Sequence, residues 1–170
     1  MKYLFAVLIL TAALASGQSL DDTNIWMQGD LDYYAVNGQH LVLKGETLPK
    51  AKGVLFTGES TDECRVFVTG ETIVDLHAGG KEYPMEYLFH LGTLDPDSIH
   101  VQTYKKYTAI QVETTNNESS IWSSWNGKLY TSTLFVFKFG AYDTASEHAT
   151  RFAKALKHAV ILCGGKPSTF

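Results

Sequence analysis

The residues best equipped for chemistry are two cysteines, Cys64 and Cys163, and six histidines, His40, His77, His90, His100, His148 and His158. The closing stretch TRFAKALKHAVILCGGK places His158 five positions before Cys163. On a helix that spacing turns the two side chains about 140° apart, so they form no dyad. Cys163 would also sit at the helix C-terminus, where the negative end of the dipole disfavours a thiolate. Packing or bridging remains. An even cysteine count in an exported chain favours a Cys64–Cys163 disulfide, whose loop of about 100 residues contributes roughly 4–5 kcal/mol by restricting the unfolded chain. Two buried free thiols are the alternative.

The other patterns do less. Glu86 and His90 stand four apart in EYLFH and could share a metal on a helix, but the surrounding residues read as strand. EHATR lacks the second histidine of H-E-x-x-H, and GESTD around Ser60 lacks the second glycine of a nucleophile elbow. Asp95 and Asp97 flank Pro96, which marks a turn better than an acid pair. Both glycine-rich phosphate cradles are absent. The expectation is therefore no catalytic, metal-binding or cofactor-binding residue.

The elements that would position these side chains are mostly strands. HLVLKG, KGVLFTG, ECRVFVTG and ETIVDLHAGG are short β-branched or aromatic runs punctuated at Gly45, Gly58, Gly70 and Gly79–Gly80. EYPMEYLFH reads as strand with a helix as the alternative, and LDDTNIWMQGDLDYYAVNGQ is open between a short helix and an irregular entry. Asn126–Gly127 predicts a two-residue hairpin turn pairing Trp125 with Lys128 and Trp122 with Thr131. Leu129, Phe135, Phe137 and Phe139 would then share a core face with Trp122. Thr144 to Glu147, TASE, fits a capping box for one helix over 144–163, with Gly164 as its left-handed stop. Phe152, Ala145, Ala149, Leu156, Ala159 and Cys163 form its apolar stripe, with Arg151, Lys154, Lys157 and His158 opposite. The sum is a mainly β domain, an antiparallel sandwich or barrel of about seven to nine short strands closed by one C-terminal helix.

The first residues, MKYLFAVLILTAALASGQS, carry one early cation, an apolar run and small residues before Gln18, the layout of a secretory signal over 1–17. The expected organisation is that signal and one domain over 18–170, exported to a periplasm or extracellular space, without a membrane span. Hydrophobic residues make up 45% and charged ones 19% of the 170, which argues for a packed globule and against disorder. Residues 18–100 hold fourteen acids against five bases, while 101–170 hold eight bases against four acids. No basic cluster exceeds Lys105–Lys106, so nucleic acid is excluded as a partner.

The strand STLFVFKFG followed by AYDTASEHATRFAKALKHAVILCGG, with LDPDSIHV upstream, is similar to uncharacterised exported bacterial proteins of pleckstrin-homology-like architecture. That resemblance covers the C-terminal half and implies a run of antiparallel strands closed by a helix. The basic strand pair that binds phosphoinositides in such domains is missing, so headgroup binding is not implied. A lipocalin-like barrel is the alternative and would imply a small apolar ligand, though Trp26 stands in NIW and not in the G-x-W signature. The function expected is a non-enzymatic interaction domain for a protein or envelope component. Trp26, Tyr33 and Tyr34 are its candidate exposed patch. A small apolar-ligand carrier and a hydrolase without a recognisable motif are the alternatives.

Overall fold

Ser19 opens the first element. Its Oγ accepts the Asp22 amide at 3.1 Å and donates to the Asp22 carboxylate at 2.7 Å, satisfying the first turn of helix α1, Leu20–Tyr34. The sequence left this stretch open; it is a full helix, one of two α-helices among the described residues. The computed structural model describes residues 18–35, 39–42, 62–75, 81–125, 127–140 and 144–169. The expected signal over 1–17 and the run KGVLFTG lie outside them.

Two antiparallel sheets follow. The larger has the order β1 (His40–Val42), β2 (Arg65–Asp75), β3 (Lys81–His90), β6 (Ile121–Trp125), β7 (Lys128–Ser132). The smaller runs β4 (His100–Thr103), β5 (Tyr107–Glu113), β8 (Leu134–Gly140). The mainly β expectation holds, as two separate sheets and not a closed barrel among the described residues. Gly70 does not end a strand as expected. At φ 104° it forms a bulge between Thr69 and Glu71, and β2 continues past it.

The hairpin register is as the alternation predicts, with Trp125 opposite Lys128 and Trp122 opposite Thr131. The face assignment beyond it is not. Trp122 and Leu129 are 45% and 48% exposed on the outer side of the large sheet. Phe135, Phe137 and Phe139 are buried in the small one. The chain changes sheet at Thr133, where Ser132 Oγ bonds the backbone of Leu134, and the change breaks the parity that would have put all five on one face.

Those phenylalanines gather the core. Phe135 meets Phe89 of β3 at 5.0 Å between ring centres, and Phe137 and Phe139 meet Phe152 at 4.9 and 5.3 Å. Phe152 belongs to helix α2, Ala145–Leu162, whose Ala149, Leu156 and Ala159 are also fully buried. The expected capping box is not formed. Thr144 has helical dihedrals (φ −94°, ψ −7°), so its hydroxyl is turned from the N3 amide, and Glu147 pairs with Arg151 instead of reaching back. The other end is as expected: Gly164 at φ 85° lets its own amide reach Ile161 and that of Gly165 reach Val160, the two bonds of a Schellman stop.

Two polar devices tie edges down. Gln39, fully buried, donates Nε2 to the Val136 carbonyl and accepts the Lys138 amide, so one side-chain amide takes the place of a strand along β8. Asp95 accepts the Asp97 amide at 2.8 Å and the Ser168 amide at 3.0 Å, closing the expected turn and fastening the C-terminal tail.

Candidate functional site

Cys64 and Cys163 are joined, with Cα atoms 5.6 Å apart, linking the start of β2 to the end of α2. Two groups stand beside the bridge. His90 Nε2 lies 3.5 Å from the Asp62 carboxylate, and the ligand-type atoms of Asp62, Cys64 and His90 all fall within 4.8 Å of one another. The cluster is poorly arranged for a metal. Its sulfur is committed to Cys163, and the Gly92 amide donates to His90 Nδ1 at 3.0 Å, which places the neutral ring's proton on the nitrogen a metal would need. Glu86 and His90 lie on strand β3, as expected, and not on a helix face.

A second constellation lies where the helices meet. His158, near the end of α2, contacts the Gln18 carbonyl before α1, while His148, near the start of α2, contacts Asp30 near the end of α1. The pair is therefore antiparallel. His148 Nδ1 is 2.9 Å from Asp30 Oδ1, and the Tyr34 ring stacks on the imidazole at 3.8 Å. Asp30 is 8% exposed and its second oxygen has no partner among the described residues. Burial pushes this carboxyl above the ordinary aspartate value, against the lowering influence of the His148 bond and the His148 and Arg151 charges. The contact positions Tyr34 and locks the helix ends together. The separation of 118 positions between its partners explains why nothing local announced it.

Along the seam from this lock, α2 turns His148, Arg151, Ala155 and His158 toward α1, a strip about 80° wide at 100° per residue. Small Ala155 leaves room opposite Trp26. The result is an open cleft of about 310 Å³ lined by Gln18, Trp26, Arg151, Lys154, Ala155 and His158. Its charged side chains are cations. Arg151 shares Glu147, whereas Lys154 takes no ion-pair or hydrogen-bond partner among the described residues.

The three aromatic residues picked from the sequence are divided by this arrangement. Trp26, 37% exposed, forms one wall of the cleft and has no ring partner among the described residues. Tyr33 is 79% exposed on the outer side of α1. Tyr34 is half-buried against His148 and belongs to the lock instead of an open patch. Arg151, Lys154 and His158 were legible as a polar helix face, but not as the wall of a cleft, because the second helix was not. Comparison with protein-family models, with curated proteins and with solved structures returns no match.

Proposed function

We propose that the chain is an exported, non-enzymatic interaction domain whose working surface is the seam between α1 and α2, taking a protein or envelope component. The observation that carries this is the cleft itself. A partly exposed aromatic ring with no ring partner among the described residues lines, together with a lysine that has no ion-pair or hydrogen-bond partner among them, a gap of small-molecule size. Neither belongs to the buried core, which Phe137, Phe139, Phe152 and their neighbours form. Export is in keeping with the Cys64–Cys163 bridge. Among the described residues no helix is long and apolar enough to cross a membrane. The Asp30–His148 contact resembles the orienting half of a catalytic triad, but Tyr34 lies across the imidazole face and the nearby Thr150 hydroxyl is spent on the Ser146 carbonyl.

Calorimetric titration of the wild type and of a Trp26→Ala/Lys154→Ala variant tests the reading. The panel is an aromatic carboxylate, a long-chain fatty acid, a uronic-acid oligomer, an acidic amphipathic peptide and a basic one. Binding by at least one member, lost in the variant, is expected. No binding by any member, or binding that the variant retains, overturns it.

A further inference from the structure

Helix α1 is apolar on two sides. Its inner side sends Met27 and Leu31 into the core, where both are fully buried. Its outer side carries Ile25, Trp26 and Tyr33, all exposed, with Gly29 among them. At 100° per residue, Ile25, Gly29, Tyr33 and Trp26 fall in one sector about 100° wide, roughly opposite Met27 and Leu31. Asp22 of the first turn falls in the same sector, and from Ile25 onward the sector is apolar, where a surface helix that only had to cover a core would place polar residues. At Gly29 an added Cβ would meet nothing within 4 Å. The middle of the strip is therefore bare backbone, the condition for close approach by another chain.

The charge beside this strip is ordered. Arg151, Lys154 and His158 rise along α2 at spacings of three and four residues, about 5 and 6 Å. On the edge of the strip that faces α2 the nearest acid of α1, Asp30, is buried on His148, while Asp22 lies exposed within the strip, bonded to Ser19, and exposed Asp32 borders its far edge. The seam thus offers an apolar ridge on one helix and, on the other, two cations, Arg151 shared with Glu147 and Lys154, in a row with the His158 imidazole. Resting on the reading of the seam as the interaction surface, we infer that its occupant is an acidic amphipathic helix of a partner protein, docked as a third helix along the seam. Apolar side chains of the partner pack on Ile25, Trp26 and Tyr33 across Gly29, and carboxylates spaced three and four residues apart face Arg151, Lys154 and His158. The 3.6-residue period of a helix delivers both sets at once, apolar on one edge and acidic on the next. A small carboxylate would use the cleft at Trp26 but leave Ile25, Gly29 and Tyr33 uncovered.

The test uses the full folded chain and a peptide long enough for four turns, with leucines on one helical face and glutamates on the adjoining one. Its controls are the same peptide with lysines for glutamates, a scrambled order of the same residues, and benzoate. Binding is followed by Trp fluorescence and by peptide circular dichroism. The acidic peptide is expected to bind and become helical, at least about tenfold tighter than the scrambled and lysine forms. Trp26→Ala should weaken it about tenfold or more, and Lys154→Glu roughly three- to tenfold, with partial recovery toward the lysine peptide. Gly29→Gln, which has open space and a better helix former, keeps the fold and should block docking by obstructing the ridge. If the scrambled peptide binds equally, or Gly29→Gln binds as well as wild type, the third-helix inference fails. If benzoate alone binds and shifts with Trp26, the inference fails while the seam remains a binding site. If nothing binds at the seam, both fail.

Discussion

Removing the Cys64–Cys163 bridge with the Cys64→Ala/Cys163→Ala double variant should cost stability on a scale set by loop length. The two residues are 99 positions apart, and the closed loop runs from the start of β2 to the end of α2. For a loop of about 100 residues the chain-entropy relation gives about 4.7 kcal/mol at 25 °C. In a domain of this size each kcal/mol moves the midpoint by about 2–4 °C, so thermal unfolding should fall by roughly 10–18 °C. The cysteines are only half-buried, so little packing energy adds to this. The assay is urea unfolding followed by Trp fluorescence, run on wild type, wild type with dithiol reductant, and the double variant. The last two should coincide, with a steeper denaturant dependence than the oxidised protein because the released chain exposes more surface. A loss below about 1 kcal/mol, or disagreement between the reduced and double-variant curves, would refute the loop-entropy reasoning.

Further outcomes follow from single residues. Asp30 is raised above its unfolded value, so the folded state holds the extra proton between the two. Stability therefore falls as pH rises through that window, and Asp30→Asn should gain on wild type over the same rise, measured as the difference in urea midpoint from pH 4 upward. Asp95 is the reverse case. Burial raises it, but bonds from Ser168, Asp97 and Ser98 lower it further, so its stabilisation is present above the unfolded value and is lost as pH falls below it; Asp95→Asn should flatten that acid loss in the same assay. Phe152→Ala removes the ring that meets Phe137 and Phe139 and should cost about 3–5 kcal/mol in urea unfolding. Gly29→Ala, with open space at its Cβ, should instead raise stability by up to about 1 kcal/mol, whereas Gly92→Ala would drive its Cβ into the Cys163 carbonyl and lower it.

Local rules were enough wherever one surface of an element faced water and the other faced the core. The stripe of α2, its Gly164 stop, the Asp95 turn and the 122–131 hairpin register were all legible for that reason. Parity failed at Thr133, because an alternating run carries no mark of which sheet each half joins. Gly70 was misread because a bulge and a turn ask the same positive φ of the same residue. Helix α1 was hidden by the feature that gives it interest. With Ile25, Trp26 and Tyr33 outward as well as Met27 and Leu31 inward, it has no clean amphipathic period, and only its Ser19–Asp22 start could have betrayed it. The cleft needed both helices, so its residues were found singly and its geometry was not.

The most direct measurement is amide and indole NMR shift mapping of the isotope-labelled full chain during titration with the acidic amphipathic peptide, the Trp26 indole resonance being assigned through Trp26→Phe. The account predicts shifts concentrated at Ile25, Trp26, Gly29, Tyr33, Arg151, Lys154 and His158, with the exposed Trp122 and Leu129 of the large sheet unmoved. Shifts centred on Trp122 and Leu129, or none at the helix seam, would contradict it.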